Sequence, residues 1–550
     1  MTQATSADDS ARRAFVLAAE REIDAAFAQN PLMRSGAKQA IWTILSVAED
    51  AFLKNTELNP LPIEQIHVLV DSMINELAYP IRACFKHSPS LEGRLDRKLI
   101  NGHYAHAVKW LEDAESYGQF NSIFPLWRRG LIALDTNGKN LVTPEPGCQH
   151  FEYEAYNRLV RKEARRELAD EDVHLVEPPR AELLARTTCS ANTFDLKFDR
   201  KLVERLIEFQ RARVTHRHTL PADWQFDGFT LGEFREVVTT IQAFLTGWQA
   251  ARVIAAGRGI VGLGYDRAVW MLNRDEIQRM IECFSGLPRD VVGAVLSALT
   301  YGNGYREPDI VLQPLVQFAD RTCALSPFVW LNSNSERNMS VLLNAMPAQR
   351  KHWTRLTQQK ETVLREELLA YLESSDLGLD YRQGKLADTD LDLAILDRAN
   401  RVCLCLELKW FLEPAEIREI VERTEEIQKG ILQAKKLTAA FAAQDERLFR
   451  LLDIDATWGF QSAVGSVNWI GHDSAQEPEV PVIKVWHLMR RIRNGRGLSQ
   501  AIDWLRNRGY LPVLGADFSI GSIDIANAGW KSSWYGIAPL RSFDGGAGPA

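Results

Sequence analysis

DYRQGKLADTDLDLAILDRANRVCLCLELKWF, residues 380–411, decides the fold. Leu391, Leu393 and Ile395 alternate with Asp390, Asp392 and Ala394, the period of a strand. DRAN (397–400) has the composition of a tight turn. Val402 to Leu408 is an apolar run broken by one charge, Glu407, which is the pattern of a buried central strand. The two strands make a hairpin. Asp392 lies near the start of the first and Glu407 near the end of the second, 15 residues later, so antiparallel pairing sets the two carboxylates side by side. Lys409 follows Glu407 by two residues, and a period of two puts both on one face.

A buried charge is costly unless it is paired or bound to a metal. Two neighbouring carboxylates repel each other and call for a cation, and hard divalent ions such as Mg²⁺ favour carboxylate and water oxygens. Such an ion activates water and stabilises charge on a phosphate under attack. Lys409 would orient the attacking water or neutralise developing charge. Asp390, on the same strand face, is an alternative to Asp392.

D-L-D-L-A-I-L-D (390–397), followed after a short turn by L-E-L-K (406–409), resembles the PD-(D/E)XK nuclease superfamily. The resemblance covers roughly residues 360–490. It implies an α/β restriction-endonuclease-like core, a mixed sheet flanked by helices, in the order helix, three strands, helix, strand. It implies that Asp392 and Glu407 hold the metal and that Lys409 assists catalysis. The preceding helix offers Glu366 or Glu367 where many members place a further acidic ligand. The following helix, EIREIVERTEEIQKGILQAKKL, offers Gln433, which resembles the glutamine many members carry there. The proline of the family name is replaced, since Leu391 precedes Asp392.

Outward from this core the texture changes. From Ala11 to about residue 127 apolar residues recur at helical spacing, as in Ala40, Ile44, Val47 and Phe52. We expect an α-helical domain over 1–170, with TPEPGC (143–148) as a breaker cluster inside it. A second mainly helical region covers 171–300, opening on a charged connector that contains EPPR (177–180). A connecting α+β segment spans 301–358, the nuclease-like core 359–515 and a C-terminal extension 516–550.

The 550 residues predict about three to four domains. With 46% hydrophobic and 25% charged residues the composition is that of a soluble globular protein. The net charge of −7 gives no global nucleic-acid footprint, but a local basic groove is compatible with it. Seven cysteines without a C-x-x-C pair predict a reducing compartment and no disulfide framework. The start, MTQATSADDSARRAF, is not a signal peptide, and no uncharged apolar stretch reaches the ~18 residues of a membrane span, so a cytoplasmic protein without membrane attachment is expected.

Lys484 to Arg508 carries seven basic residues against one acid, with Trp486, His487 and Trp504 interleaved. Arg490, Arg491, Arg493 and Arg496 are candidates for phosphate-backbone contacts; the alternative is a solvated helix. GRGIVGLG (257–264) matches G-x-G-x-x-G by letter, but it follows a helix-like stretch and reads as a loop. His103 and His106, at i and i+3, have no third ligand suggested nearby, and His216 and His218 are equally isolated.

The expectation is an endonuclease-type phosphodiesterase dependent on Mg²⁺, with Mn²⁺ as a substitute. The expected substrate is DNA. The helical N-terminal regions would recognise a target, a protein partner or a second copy. Two other readings are open: a silent nuclease fold used for binding or assembly, and an RNA-directed nuclease.

Overall fold

The alternation at 390–397 and the apolar run at 402–408 become neighbouring strands in the computed structural model. It describes residues 4–541 except 129–131, 133, 143–150, 161–177, 216–217, 219, 306, 358, 375–376, 387–388, 412–416, 473–474 and 496. TPEPGC, most of the charged connector, His216 and Arg496 lie outside the described residues. The chain is mixed helix and sheet, helical towards its N-terminus, with a mixed sheet in its C-terminal part. No helix among the described residues is long and apolar enough to cross a membrane.

Two compact units divide the chain differently from the boundaries expected at 170, 300 and 358. The first unit joins 1–121 to 172–354, with 526–530. The second joins 122–171 to 355–525 and 531–550.

The first unit is built round helix α1 (Ala37–Leu53), buried on nearly every side. Its Ile41, Trp42 and Leu45 share a core with Leu77, Ile81 and Trp110, the last from helix α2 (Asn101–Arg128). Helix α3 (Leu231–Gly257) starts on a capping box between Thr230 and Glu233, and its Arg252 forms a buried ion pair with Asp50 of α1. GRGIVGLG follows this helix rather than a strand, and Gly262, Leu263 and Gly264 all take left-handed backbone angles, so it is a loop.

In the second unit, helix α4 (Lys360–Glu373) precedes strands β1 (Asp380–Lys385), β2 (Asp390–Asp397) and β3 (Val402–Lys409). Helices α5 (Ile417–Ala442) and α6 (Glu446–Leu452) lead to β4 (Gly459–Ser466) and β5 (Val482–Lys484). Helices α7 (Val485–Asn494) and α8 (Leu498–Arg506) follow. The sheet order is β5-β4-β3-β2-β1: antiparallel from β1 to β3, parallel from β3 to β5.

The central strands are apolar on both faces because both are covered. Leu404, Leu406 and Leu408 of β3 share a core with Leu364, Leu368 and Leu372 of α4, Leu488 and Ile492 of α7, and Ile502 of α8. Cys403 and Cys405 point the other way, towards Leu437 of α5 and Leu448 and Leu452 of α6. Both are buried free thiols, as their setting in an apolar run suggests.

Two segments outside the expected core belong to this unit. Phe151, Tyr153, Tyr156, Leu159 and Val160 lie in its core, so the stretch assigned to the tail of the first domain packs here. The C-terminal extension is a hairpin, Phe518–Asn527 with Trp530–Pro539, which lies in this unit apart from 526–530 and whose second strand pairs in parallel with Asn140–Val142.

Candidate functional site

Leu393 of β2 stands opposite Leu406 of β3, and one further step of that register brings Asp392 opposite Glu407. Asp392 is fixed by the neighbouring strand: its Oδ2 accepts a hydrogen bond from the backbone N–H of Leu408 at 2.8 Å. Asp390 is exposed and contributes only a like charge that raises the Asp392 carboxyl, so of the two aspartates Asp392 occupies the place beside Glu407.

Glu407 is buried, with 2% of its surface exposed. Lys409 Nζ donates to its Oε1 at 2.7 Å, while its Oε2 is shielded from solvent and has no hydrogen-bond partner. A buried carboxylate oxygen with no donor is a costly arrangement, and it is where a cation would be stabilised.

Helix α5 supplies the rest. Gln433 Oε1 lies 3.3 Å from Lys409 Nζ. One turn earlier, Gly430 allows the lysine stem to pass close to the helix, since a Cβ there would stand 3.1 Å from Lys409 Cε and 3.3 Å from Val464. The structure therefore brings together Asp392, Glu407, Lys409 and Gln433, all named from sequence. Gly430 carried no sequence signal beyond being a glycine inside a helix.

The acidic neighbour on α4 differs from expectation. Glu361, Glu366 and Glu367 are all solvent-accessible on α4, and partial burial raises the Glu367 carboxyl with no charge from the site acting on it. Glu361, one and a half turns earlier, is the glutamate that feels the site: burial and the Asp392 charge raise its carboxyl, and Lys409 opposes them. Helical phase explains this. The core stripe of Leu364, Leu368 and Leu372 fixes the buried side, and Glu361 and Arg365, four residues apart, share another face. Arg365 in turn lowers Asp392.

Charge is held at this site against its usual preference. Burial and then the Asp392 charge push the Glu407 carboxyl up to about 7, opposed by Lys409. Burial also raises Asp392, against the Leu408 N–H and the Lys409 and Arg365 charges. Burial pulls Lys409 down, but the Glu407 charge and hydrogen bond, with Glu361 and Asp392, outweigh it and leave its ammonium favoured. These are two crowded carboxylates sharing one cation.

The basic segment sits elsewhere. Arg490, Arg491 and Arg493 belong to α7, whose apolar side packs in the core on the sheet face opposite Glu407 and Lys409. Arg491 lies over the ring of Trp504 at 5.3 Å and Arg493 over Tyr371 at 4.7 Å. The structure does not bring these arginines to Lys409; charge density along a helix carries no information about which sheet face the helix covers.

Among the described residues no group of three or more His, Cys, Asp or Glu side chains is placed to hold a metal ion alone. The site offers two adjacent carboxylates, one oxygen of which is unpartnered. Compared with protein-family models, curated proteins and solved structures, the chain matches none of them.

Proposed function

We propose that the second unit is a metal-dependent phosphodiesterase of the PD-(D/E)XK type, a nuclease acting on DNA. The observation that carries the reading is Glu407: a buried carboxylate beside Asp392, with Lys409 on one oxygen and no partner on the other. The order helix, three strands, helix, strand round this pair supports a restriction-endonuclease-like core.

The donor set fits Mg²⁺ or Mn²⁺. Mg²⁺ is commonly held by one or two protein carboxylates, its remaining positions filled by water and substrate phosphate, so a two-carboxylate site needs no third protein ligand. Asp392 and Glu407 would hold the ion, with Glu361 close enough to add charge. When bound, the ion lowers the pKa of water and offsets the negative charge of the phosphate.

The protein's own groups do the remainder. Leu408 N–H holds the Asp392 carboxylate in place, and Gln433 and Glu407 hold the Lys409 ammonium. That ammonium, kept protonated by its neighbours, stabilises negative charge on a phosphate oxygen or orients a water molecule. The first unit, mainly helical, would recognise the target, a protein partner or a second copy.

The test is cleavage of plasmid and single-stranded DNA in Mg²⁺ or Mn²⁺ by the wild type and Lys409→Ala, with RNA in parallel. Metal-dependent cutting of DNA lost in the variant supports the proposal. RNA cutting alone shifts the substrate. Intact DNA and RNA with both proteins would leave the core as a binding or assembly module.

A further inference from the structure

Far along the chain from Glu407, and wholly within the first unit, lies a shallow cavity of about 520 Å³, open to solvent. That volume is in the range of small-molecule sites, ~300–1,000 Å³. Arg34, Arg94, His103 and His106 converge on it, with Gln39 and Asp96. Both arginines are exposed, and neither guanidinium has a hydrogen-bond or ion-pair partner among the described residues. The Nδ1 of His103 is shielded from solvent and also unpartnered.

The walls are fixed in advance. Asn30 accepts from Leu32 N–H at 2.9 Å through Oδ1 and donates through Nδ2 to the His106 carbonyl at 3.2 Å, tying the segment that bears Arg34 to α2. Gln39, 5% exposed, accepts from Asp96 N–H at 2.8 Å, tying the segment that bears Arg94 to α1. Gly36, at φ +88°, makes the bend between Arg34 and α1 that only glycine takes readily. Three chain segments are thus joined round one opening.

The ligand class follows from the donors. His103 and His106, one turn apart near the start of α2, face one side, and the first turn of that helix, whose N–H groups carry partial positive charge, holds no acidic residue. Guanidinium groups pair best with phosphate and carboxylate oxygens, in bidentate fashion. Asp96 opposes an anion but supplies one charge against two arginines.

We infer that this cavity binds a phosphate group, either the free ion or the terminal phosphate of a small molecule, through Arg34, Arg94 and the His103–His106 pair. The inference stands apart from the phosphodiesterase proposal.

Calorimetric titration of the full chain in EDTA, at constant ionic strength, tests it with inorganic phosphate, adenosine monophosphate and acetate. One saturable phosphate site is expected, weakened at least about tenfold by Arg34→Ala and by Arg94→Ala. Arg97→Ala, an exposed neighbour outside the cavity, should leave it unchanged. Tighter binding of the nucleotide assigns the site to a phosphorylated small molecule; equal or weaker binding assigns it to the free ion. Absence of saturable binding, affinity unchanged in both cavity variants, or acetate binding as tightly as phosphate would overturn the inference.

Discussion

Gly430 leaves the space through which the Lys409 side chain passes: a Cβ on Gly430 would stand 3.1 Å from Lys409 Cε. The helix that supplies Gln433 therefore also sets the path of the lysine stem. Gly430→Ala gains up to about 1 kcal/mol of helix propensity but must displace either Lys409 or Val464. We expect the melting temperature to change by a few degrees at most while hydrolysis falls about tenfold. Thermal melts beside cleavage assays check this; unchanged cleavage would mean that Gly430 does not set the lysine's position.

Glu407 makes stability depend on pH in a predictable direction. Its carboxyl is raised from 4.5 to about 7, so the folded chain keeps a proton that the unfolded chain has lost. Metal-free protein should lose stability as pH rises from about 4.5 through about 7, by on the order of 1–3 kcal/mol. Glu407→Gln should flatten that slope and be the more stable protein at pH 8. Urea midpoints across pH measure it, and an unchanged slope in the variant would assign the effect to other groups.

Mg²⁺ should act on the same quantity. An ion held by the ionised carboxylates stabilises the folded state by mass action, more at pH 8 than at pH 5. The melting temperature of the wild type is expected to rise with Mg²⁺ at pH 8, and that of Glu407→Gln to stay level. A rise of equal size in both would place the ion elsewhere.

Asp392→Asn separates structure from chemistry. The amide keeps an oxygen to accept from Leu408 N–H, so folding should be preserved. The carboxylate charge is lost, and hydrolysis should fall by about 10²–10³-fold. Circular dichroism with single-turnover kinetics distinguishes this from unfolding.

Glu361→Gln, compared with Glu366→Gln and Glu367→Gln, tests the phase of α4. Glu361 senses the Asp392 charge, whereas none of the site's charges acts on Glu367. Only the first variant should raise the Mg²⁺ concentration needed for half-maximal cleavage, by roughly tenfold. Equal behaviour of all three would remove Glu361 from the site.

The hairpin was legible because period two and an antiparallel turn leave one register that buries Leu393, Leu404 and Leu406 together; Asp392, Glu407 and Lys409 then have no other place to go. Gln433 was legible only through resemblance. Glu361 was not, because α4 carries polar residues round much of its circumference and its angular position is decided by packing of Leu364, Leu368 and Leu372. The place of the α7 arginines was not legible for a related reason: a local run of charge is visible, whereas the sheet face its helix covers is a tertiary fact. Residues 151–160 gave no sign of their destination, since the surfaces that bury them come more than 200 residues later.

That last arrangement has a consequence for synthesis. The Tyr156 hydroxyl shares a hydrogen bond with His487 Nδ1 at 2.8 Å and accepts from the Lys484 N–H, 328 residues away. At roughly 5–20 residues per second, a ribosome needs on the order of tens of seconds between making the two. For the first 200 residues of that interval Phe151, Tyr153, Tyr156, Leu159 and Val160 have none of the other side chains of this core to pack on. The second unit is thus completed only late, from stretches of chain born far apart. A fragment cut at 359–515 lacks these side chains, and a chain stopped before Lys531 lacks the partner of Asn140.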